Sequence, residues 1–293
     1  MSSFATSESW AILLPIEKSI REKMKAKGTP LSEWNLSINY GVKTGCNDAF
    51  IVSSQKKEEL IASDPRSAEI IRPILRGRDI KRYCYTFADL WLIATFPSMQ
   101  YDIEDYPAIK KHLLSFGIER LEQTGLKHIV EGTAVKARKK TNNKWYETQD
   151  SISYWNDFLE QKIVWGNLCL TAQFAYAEEN LFVNAPSPMI VPGNKYVLAV
   201  LNSHLGDWYI RQLGVTRNGG YFEYKPMFVE QLPIPILSKD EEAVFITLVD
   251  RILISKERQE DSSCLEEEID QLVYELYGLT KEEIQFIEDK SNQ

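Results

Sequence analysis

The sequence has few residues that could build a metal or redox site. Its four cysteines lie far apart in the chain without a C-x-x-C pair, and its three histidines show no metal-ligand spacing. Reduced thiols and ordinary histidines therefore explain these residues better than a zinc site does. We expect no bound metal in this chain.

Long apolar runs are also missing. No stretch of 18 apolar residues occurs, which excludes a membrane-spanning helix of ordinary length. The apolar patch near the N-terminus is too short for a signal peptide, and its basic residues follow the patch instead of preceding it. We therefore expect a cytoplasmic protein with no membrane partner. Its 293 residues, 44% hydrophobic and 26% charged, allow one large or two moderate globular domains.

The usual phosphate-binding and catalytic motifs are absent as well. The stretch NYGVKTGCNDAF, residues 39–50, contains two glycines and a Lys-Thr pair, but that pair precedes Gly45, so no Walker A motif is formed. There is no G-x-G-x-x-G, no N/D-P-P-Y/F/W motif of methyltransferases that act on bases, and no obvious nucleophile–histidine constellation. We predict no catalytic residue. Residues 39–50 form either a structural turn or a loop that contacts phosphate through Lys43, Thr44 and Asn47.

One weak pattern is compatible with a nuclease. Asp48 is followed by Gln55, Lys56 and Lys57, but the spacing is loose and the flanking residues favour a helix. A solvated helix start explains the pattern better than a catalytic site. A small metal-dependent nuclease nevertheless stays open as a rival function.

Charge is distributed unevenly along the chain. Residues 1–150 carry 23 Lys+Arg against 19 Asp+Glu, net +4, and residues 151–230 carry 5 against 7, net −2. Residues 231–293 carry 6 against 16, net −10. This pattern indicates a neutral-to-basic working region followed by an acidic helical appendage, although the whole chain has a net charge of −8.

Three segments in the less acidic part combine cations with amide or aromatic side chains. Lysine and arginine neutralise phosphates, arginine pairs with guanine, and asparagine pairs with adenine in the major groove. Each segment by itself is more often a solvated surface, but three of them favour contact with nucleic acid. The candidate residues are Arg76, Arg78, Lys81 and Arg82; Lys136, Arg138, Lys139, Lys140, Asn142, Asn143 and Lys144; and Arg217, Asn218, Tyr224 and Lys225.

Periodicity and turn residues predict alternating helices and strands. A helix is predicted over about 15–27, a strand over 49–52, a helix that begins at Arg66 and is ended by Pro73, one amphipathic helix over 104–123, and helices from Ser238 to the end. Gly278 is predicted to cap one of these tail helices, and residues 280–283 have the pattern of a capping box that starts the next one. Residues 128–150 are basic and aperiodic, which predicts a long exposed loop.

Seven motifs occur in an order typical of one family. They are GVKTGCNDAFIV, SAEIIRPILRGRDIKRY, WLIATFP, NKWYETQ, KIVWGN, VLNSHLGDWYI and GGYFEYKPMFVEQLPIPI. On these motifs the sequence resembles the TaqI-like C-terminal specificity domain over roughly residues 10–237. This is the target recognition domain of type IIG restriction–modification enzymes and of related adenine-specific DNA methyltransferases.

The resemblance implies a mixed α/β fold of the α+β class. It divides the chain into an N-terminal connector helix (1–30), a DNA target recognition domain (31–237) and a C-terminal helical segment (238–293). It implies sequence-specific binding of double-stranded DNA, with base reading from residues 136–145 and 216–225. S-adenosylmethionine and magnesium would belong to a methyltransferase or nuclease domain, fused or separate. A stand-alone specificity subunit and a protein-interaction module acting through the acidic tail are the alternatives.

Overall fold

A computed structural model describes residues 14–214 and 216–291, so residues 1–13 of the predicted connector lie outside the described part. The α-helices are α1 Pro15–Lys27, α2 Asn47–Phe50, α3 Ser54–Ser63, α4 Pro107–Leu114, α5 Ile118–Leu121, α6 Lys195–Asn202, α7 His204–Arg211, α8 Pro226–Val229, α9 Lys239–Glu257, α10 Ser263–Tyr277 and α11 Lys281–Ser291. Short 3-10 helices occupy Leu31–Glu33, Pro65–Glu69, Gly77–Asp79, Pro97–Met99, Ile103–Asp105 and Trp155–Leu159.

The strands are short and form several small sheets. They are β1 Thr29–Pro30, β2 Ser37–Tyr40, β3 Ile51–Ser53, β4 Ile71–Leu75, β5 Ile80–Lys81, β6 Cys84–Tyr85, β7 Leu90–Ile93, β8 Lys127–Val130, β9 Thr133–Lys136, β10 Lys162–Trp165, β11 Leu168–Cys169, β12 Phe174–Ala177, β13 Phe182–Val183, β14 Pro188–Val191, β15 Phe222–Glu223 and β16 Pro233–Ile234. Helices and strands from all parts of the chain are mixed, which confirms the predicted α+β class.

A four-stranded antiparallel sheet lies at the centre, in the order β12-β10-β14-β2. Side chains alternate between the two faces of a strand. Ile163 and Trp165 of β10 therefore enter one hydrophobic core, while Val164 between them enters a second core on the other face. Because both faces are buried, the strand sequence KIVW has little polar alternation.

The first core lies between this sheet and the helices α1, α6, α7, α9, α10 and α11. Ile20 of α1, Val249 of α9, Val273 of α10 and Ile287 of α11 all belong to it. Helix α1 has the bounds that the sequence predicts, and its Lys23 Nζ lies 2.6 Å from Glu283 Oε2. Helix α1 and the acidic tail thus share one core with the central sheet.

The second core contains a mixed sheet in the order β13-β4-β7-β3. The helix predicted from Arg66 to Pro73 is wrong: a 3-10 turn over Pro65–Glu69 leads into strand β4. Residues 71–73 pair with residues 91–93 of β7, and Ile74 pairs with Phe182 of β13. The second core also contains stacked Phe158 and Phe182 rings, 4.6 Å apart between centroids.

Three other predictions need correction. Residues 104–123 form two helices, α4 and α5, because Gly117 between them has a φ of +85°. The strand predicted over 49–52 is divided between helix α2 and strand β3. The loop predicted over 128–150 contains most of a hairpin, β8–β9.

The tail helices follow the predicted boundaries closely. Gly278 ends α10 with a φ of +67°, the left-handed conformation that favours glycine. The Thr280 N–H donates to Glu283 Oε2 at 2.7 Å, and the Glu283 N–H donates to Thr280 Oγ1 at 3.3 Å, which confirms the predicted capping box. Within residues 14–214 and 216–291, no helix combines the length and the apolar character needed to cross a bilayer.

Candidate nucleic-acid interface

A cavity of about 990 Å³ opens where three chain segments meet. The segments are residues 77–81, residues 166–173 and the turn at residues 216–223, and the backbone of residues 184–187 forms a further wall. The polar and apolar side chains at this cavity include Arg78, Lys81, Arg217, Asn167, Gln173, Asn184, Asn218, Leu168, Leu170 and Tyr221. Two of the three predicted cationic segments therefore converge on one concave surface.

The first segment places Arg78 and Lys81 at the cavity. Arg76 forms a two-point ion pair with Asp79, with Nε–Oδ2 at 2.6 Å and Nη2–Oδ1 at 2.9 Å. This pair closes the 3-10 turn over Gly77–Asp79 and directs Arg76 away from other partners. The side chains of Arg78 and Lys81 are exposed, and within the described residues they form no ion pair or side-chain hydrogen bond. Their charge is therefore available to an anion.

The turn at residues 216–223 is closed by its own backbone. Gly219 and Gly220 have φ values of +83° and +79°, and the Arg217 N–H donates to the Tyr221 carbonyl at 2.7 Å. Arg217 Nε lies 2.7 Å from Glu223 Oε1, and Lys225 Nζ lies 2.8 Å from Glu223 Oε2. The hydrogen bonds from Lys225 and Arg217 lower the pKa of the Glu223 carboxyl. One buried carboxylate thus orients two cations at the rim.

The third segment, residues 166–173, was not among the predicted site residues. Leu168 and Leu170 are 48% and 50% exposed, and Tyr221 opposite them is 41% exposed. The side-chain Oδ1 of Asn167 is buried and has no hydrogen-bond partner among the described residues. This segment contains no charged residue, so a criterion based on charge does not identify it. Its one sequence pattern of note is the Leu-Cys-Leu stretch between Asn167 and Gln173.

Arg138 does not lie at the surface, in contrast to the prediction. Its side chain is 4% exposed and donates to four carbonyls: Leu121 at 2.8 Å, Thr44 at 2.7 Å, Glu147 at 2.8 Å and Trp145 at 2.6 Å. Desolvation lowers the pKa of its guanidinium to about 10. Since the guanidinium has five N–H donors and four bonds are made inside, Arg138 is a structural anchor for several loops.

Three other predicted residues also make their side-chain contacts inside the molecule. Thr44 is fully buried, and its Oγ1 donates to Asn47 Oδ1 at 2.7 Å. Tyr224 is 1% exposed, and its hydroxyl donates to the Asp207 carboxylate. Burial is the main cause that raises the pKa of the Tyr224 hydroxyl, and the negative charge of Asp207 is the second cause. Arg82 points toward the tail, where its Nε lies 2.5 Å from Glu266 Oε2. These side chains cannot contact a nucleic acid at the surface in this conformation.

The loop at residues 41–45 owes its two glycines to close packing. A Cβ atom at Gly41 would collide with the Val183 carbonyl group. Gly45 has a φ of +76°, and a Cβ there would lie 2.7 Å from Gln149 Oε1 and 2.9 Å from Arg138 Cδ. The structural-turn alternative therefore accounts for both glycines, while the Lys43 side chain in the same loop is exposed.

The segment 136–145 is connected to the cavity through buried contacts. Arg138 bonds to the carbonyl of Thr44, and Val42 in the same loop forms a β-bridge with Asn184 of the cavity wall. The Asn143 amide donates to the carbonyls of Thr148 and Gln149, at 3.2 Å and 2.9 Å. The exposed candidates in the segment are Lys136, Lys139, Lys140, Asn142 and Lys144.

The geometry gives the nuclease alternative no support. The carboxylate of Asp48 lies 2.6 Å from Arg120 Nη2, in an exposed ion pair. In the described ranges, no three histidine, cysteine, aspartate or glutamate side chains are grouped as metal ligands. Asp48 therefore serves as a surface ion-pair partner of helix α5.

Comparison with known proteins gives one family and a larger group of similar solved structures, which includes the two enzymes named below. The model of the TaqI-like C-terminal specificity domain matches residues 72–234. The fold is similar to the type IIL restriction-modification enzyme MmeI, solved in complex with DNA, with a TM-score of 0.58, 14% identity, and 90% of this chain covering 36% of that one. It is also similar to the type IIG restriction endonuclease BpuSI, with a TM-score of 0.51, 13% identity, and 90% covering 33%.

Both likenesses concern the fold, because the identities are low. The chain spans about a third of the length of each of these two enzymes. A comparison with curated proteins returned no match.

Proposed function

The chain belongs to the TaqI-like C-terminal specificity domain family, and from that premise we propose that it binds double-stranded DNA in a sequence-specific manner. It would act as the target recognition domain of a restriction–modification enzyme of the type IIG kind or of an adenine-specific DNA methyltransferase. S-adenosylmethionine and magnesium would be bound by a methyltransferase or nuclease domain, fused to this chain or separate from it.

The observation that carries this proposal is the composition of the cavity. Arg78 and Lys81 supply unpaired positive charge, Asn167 and Asn218 supply amides, and Leu168 supplies exposed apolar surface. Cations hold phosphates, amides pair with base edges, and apolar groups contact the thymine methyl. A surface of this composition has the groups that recognition of a duplex requires.

The proposed roles divide between affinity and sequence. Exposed cations would contact the phosphate backbone and give salt-dependent affinity that does not depend on sequence. Arg217 and several asparagine amides would read bases, and the target adenine would be flipped into the partner domain. The proposed phosphate contacts are Lys43, Arg78, Lys81, Lys136, Lys139, Lys140, Lys144 and Lys225, and the proposed base contacts are Asn142, Arg217, Asn218 and the newly found Asn167.

The two alternatives differ in what the tail does. A protein-interaction module acting through the tail would need an apolar face on those helices that a partner could bury. Val249, Val273 and Ile287 of the tail are instead buried in the core of this chain. A stand-alone specificity subunit would recognise DNA through the same cavity, so it differs from the main proposal only in how the methyltransferase is attached.

The decisive experiment is selection of duplexes from a randomised library by the full chain. We expect enrichment of one short motif, followed by a measured affinity for that motif above the affinity for a scrambled duplex. The double variant Arg78→Gln/Lys81→Gln should weaken both affinities and reduce the salt slope by about two, because each lost phosphate contact contributes about 0.9. A library that stays random after selection at low salt would contradict the proposal.

A further inference from the structure

The hairpin formed by β8 and β9 projects an exposed face that the cavity does not use. Lys127 pairs with Lys136, His128 with Val135, Ile129 with Ala134 and Val130 with Thr133. Its two-residue turn has positive φ at both central positions, +49° at Glu131 and +79° at Gly132, which is the turn that matches the twist of a hairpin. The hairpin is therefore a regular two-stranded ribbon.

The two faces of this ribbon differ in exposure. His128, Val130 and Val135 are half-buried on the inner face, and His128 Nε2 lies 3.7 Å from Glu122 Oε2 beneath it. Lys127, Ile129, Ala134 and Lys136 are all exposed on the outer face, and Ile129 is 81% exposed. The outer face thus carries a pair of lysines at the base of the hairpin and an exposed isoleucine nearer the turn.

This arrangement is unfavourable for the isolated chain. Like charges directly opposite each other on a hairpin are destabilising, and Lys127 and Lys136 are such a pair. Lys139 and Lys140 continue the positive charge beyond the hairpin. In residues 14–214 and 216–291, these four lysines form no ion pair with any carboxylate. This uncompensated charge beside an exposed apolar side chain is complementary to a polyanion that also presents apolar groups.

We propose that the outer face of the β8–β9 hairpin is a second DNA contact, separate from the cavity and resting on the proposed DNA-binding function. The major groove of B-DNA is about 12 Å wide and admits a two-stranded ribbon. Lys127 and Lys136 lie on opposite edges of the ribbon, where they reach the phosphates on the two sides of the groove. Ile129 lies nearer the turn on the same face, where it would meet the base edges and the thymine methyl groups.

The base of the hairpin is rigidly attached to the cavity side of the molecule. The Ala137 N–H donates to the Leu126 carbonyl at 2.9 Å, and the Gly125 N–H donates to the Arg138 carbonyl at 2.9 Å, which extends the pairing below the strands. The buried Arg138 side chain then bonds to Thr44, whose loop forms a bridge with Asn184 of the cavity wall. The hairpin is therefore held in a fixed position relative to the cavity wall.

The test measures affinity as a function of salt for the full chain. Fluorescence anisotropy would use two 30-base-pair duplexes, one with the selected motif and one scrambled. The variants are Lys127→Gln/Lys136→Gln and the single substitution Glu131→Lys, which adds a cation at the tip. The matched control is Lys239→Gln/Lys281→Gln, which removes two exposed lysines from the first turns of α9 and α11.

We expect the hairpin double variant to lower the salt slope by about two on both duplexes, and Glu131→Lys to raise it by about one, while the control leaves it unchanged. An unchanged slope for a folded double variant would overturn the hairpin proposal, together with the phosphate contact proposed for Lys136, and leave the cavity proposal intact. If that variant unfolds, Glu131→Lys decides, and an unchanged slope there overturns the proposal. A wild-type chain that binds neither duplex would overturn both proposals.

Discussion

The cavity side and the tail side of the molecule both carry arginine and lysine, but the surroundings of these residues differ. On the tail side, Glu266 binds Arg82 at 2.5 Å and Lys256 at 2.9 Å, and Glu283 binds Lys23 at 2.6 Å. On the cavity side, Arg78 and Lys81 have no such carboxylate among the described residues. The comparison separates cations that a carboxylate holds within the fold from Arg78 and Lys81. Arg217 and Lys225 are intermediate, because they belong to the cavity side but pair with the carboxylate of Glu223.

Residues 76–82 include both cations that are paired with a carboxylate and cations that are not. Arg76 closes a turn through Asp79, Arg78 and Lys81 face the cavity, and Arg82 joins the tail helix α10. Four cations that look equivalent in the sequence therefore have three different environments. Substitutions that remove them one at a time test whether structural and DNA-contacting cations are separate classes.

Arg138 is the most strongly structural cation, and its removal should have the largest effect. Arg138→Ala would leave several buried carbonyls without donors, which we expect to lower the free energy of unfolding by about 3–5 kcal/mol. Urea denaturation followed by tryptophan fluorescence measures this change. The neighbouring exposed residue provides the control, since Lys139→Ala should change stability by less than about 0.5 kcal/mol. Equal stability of Arg138→Ala and Lys139→Ala would contradict the distinction between structural and exposed cations.

Arg82 should behave as a fold residue on the tail side. Arg82→Gln leaves the partly buried Glu266 with a weaker set of partners, and we expect a loss of about 2 kcal/mol in the free energy of unfolding. Affinity of the folded fraction for the selected duplex should stay unchanged. Arg78→Gln, four residues earlier, should give the reverse result, with stability retained and affinity reduced. The comparison fails if Arg82→Gln changes the salt slope of DNA binding in the folded protein.

Asn218 tests whether amides and cations at the cavity have separate roles. Asn218→Ala should reduce the preference for one base pair of the selected motif by about tenfold, since a good pair of base hydrogen bonds gives about 1–3 kcal/mol of discrimination. The salt slope should not change, because no phosphate contact is lost. Lys81→Gln is the matched variant and should lower the slope by about one without changing the preferred base. Affinities for single-base variants of the motif measure both effects.

Glu131 provides the smallest predicted effect. A glutamate with a φ of +49° is strained, and asparagine tolerates this left-handed conformation better. Glu131→Asn should therefore raise the free energy of unfolding by about 0.5–1 kcal/mol. Thermal melting measures the change, with Glu131→Gln as the control that removes the charge but keeps the poor conformational preference. Equal melting temperatures of Glu131→Asn and Glu131→Gln would show that any gain in stability comes from removing the negative charge and not from the backbone conformation.

The predictions from sequence were most accurate where local rules dominate. Helix α1 and the Thr280 capping box were predicted from proline, glycine and capping residues, which act within one or two turns. The helix predicted from Arg66 to Pro73 failed because Ile71 and Arg72 pair instead with Ile93 and Leu92 of a separate strand, β7. The spacing of residue types in the sequence does not identify such a strand-pairing partner.

The candidate site shows the same limit. Residue type and clustering identified the segments 76–82 and 216–225, and the cavity brings both together. The same criteria also selected Arg138 and Tyr224, which are buried, and missed Asn167 and Leu168, which are uncharged. Charge pattern identifies a segment, but it does not identify which of its side chains face outward.

By itself, the sequence determined the family, the mixed fold class and the general location of the positive charge, because these depend on ordered motifs and on composition. The tertiary structure decided which cations are neutralised, how the acidic tail joins the core, and which face of the β8–β9 hairpin is bare. These features depend on which distant carbonyl or carboxylate comes to lie within about 3 Å of a given side chain, and that distance is set by packing across the whole chain.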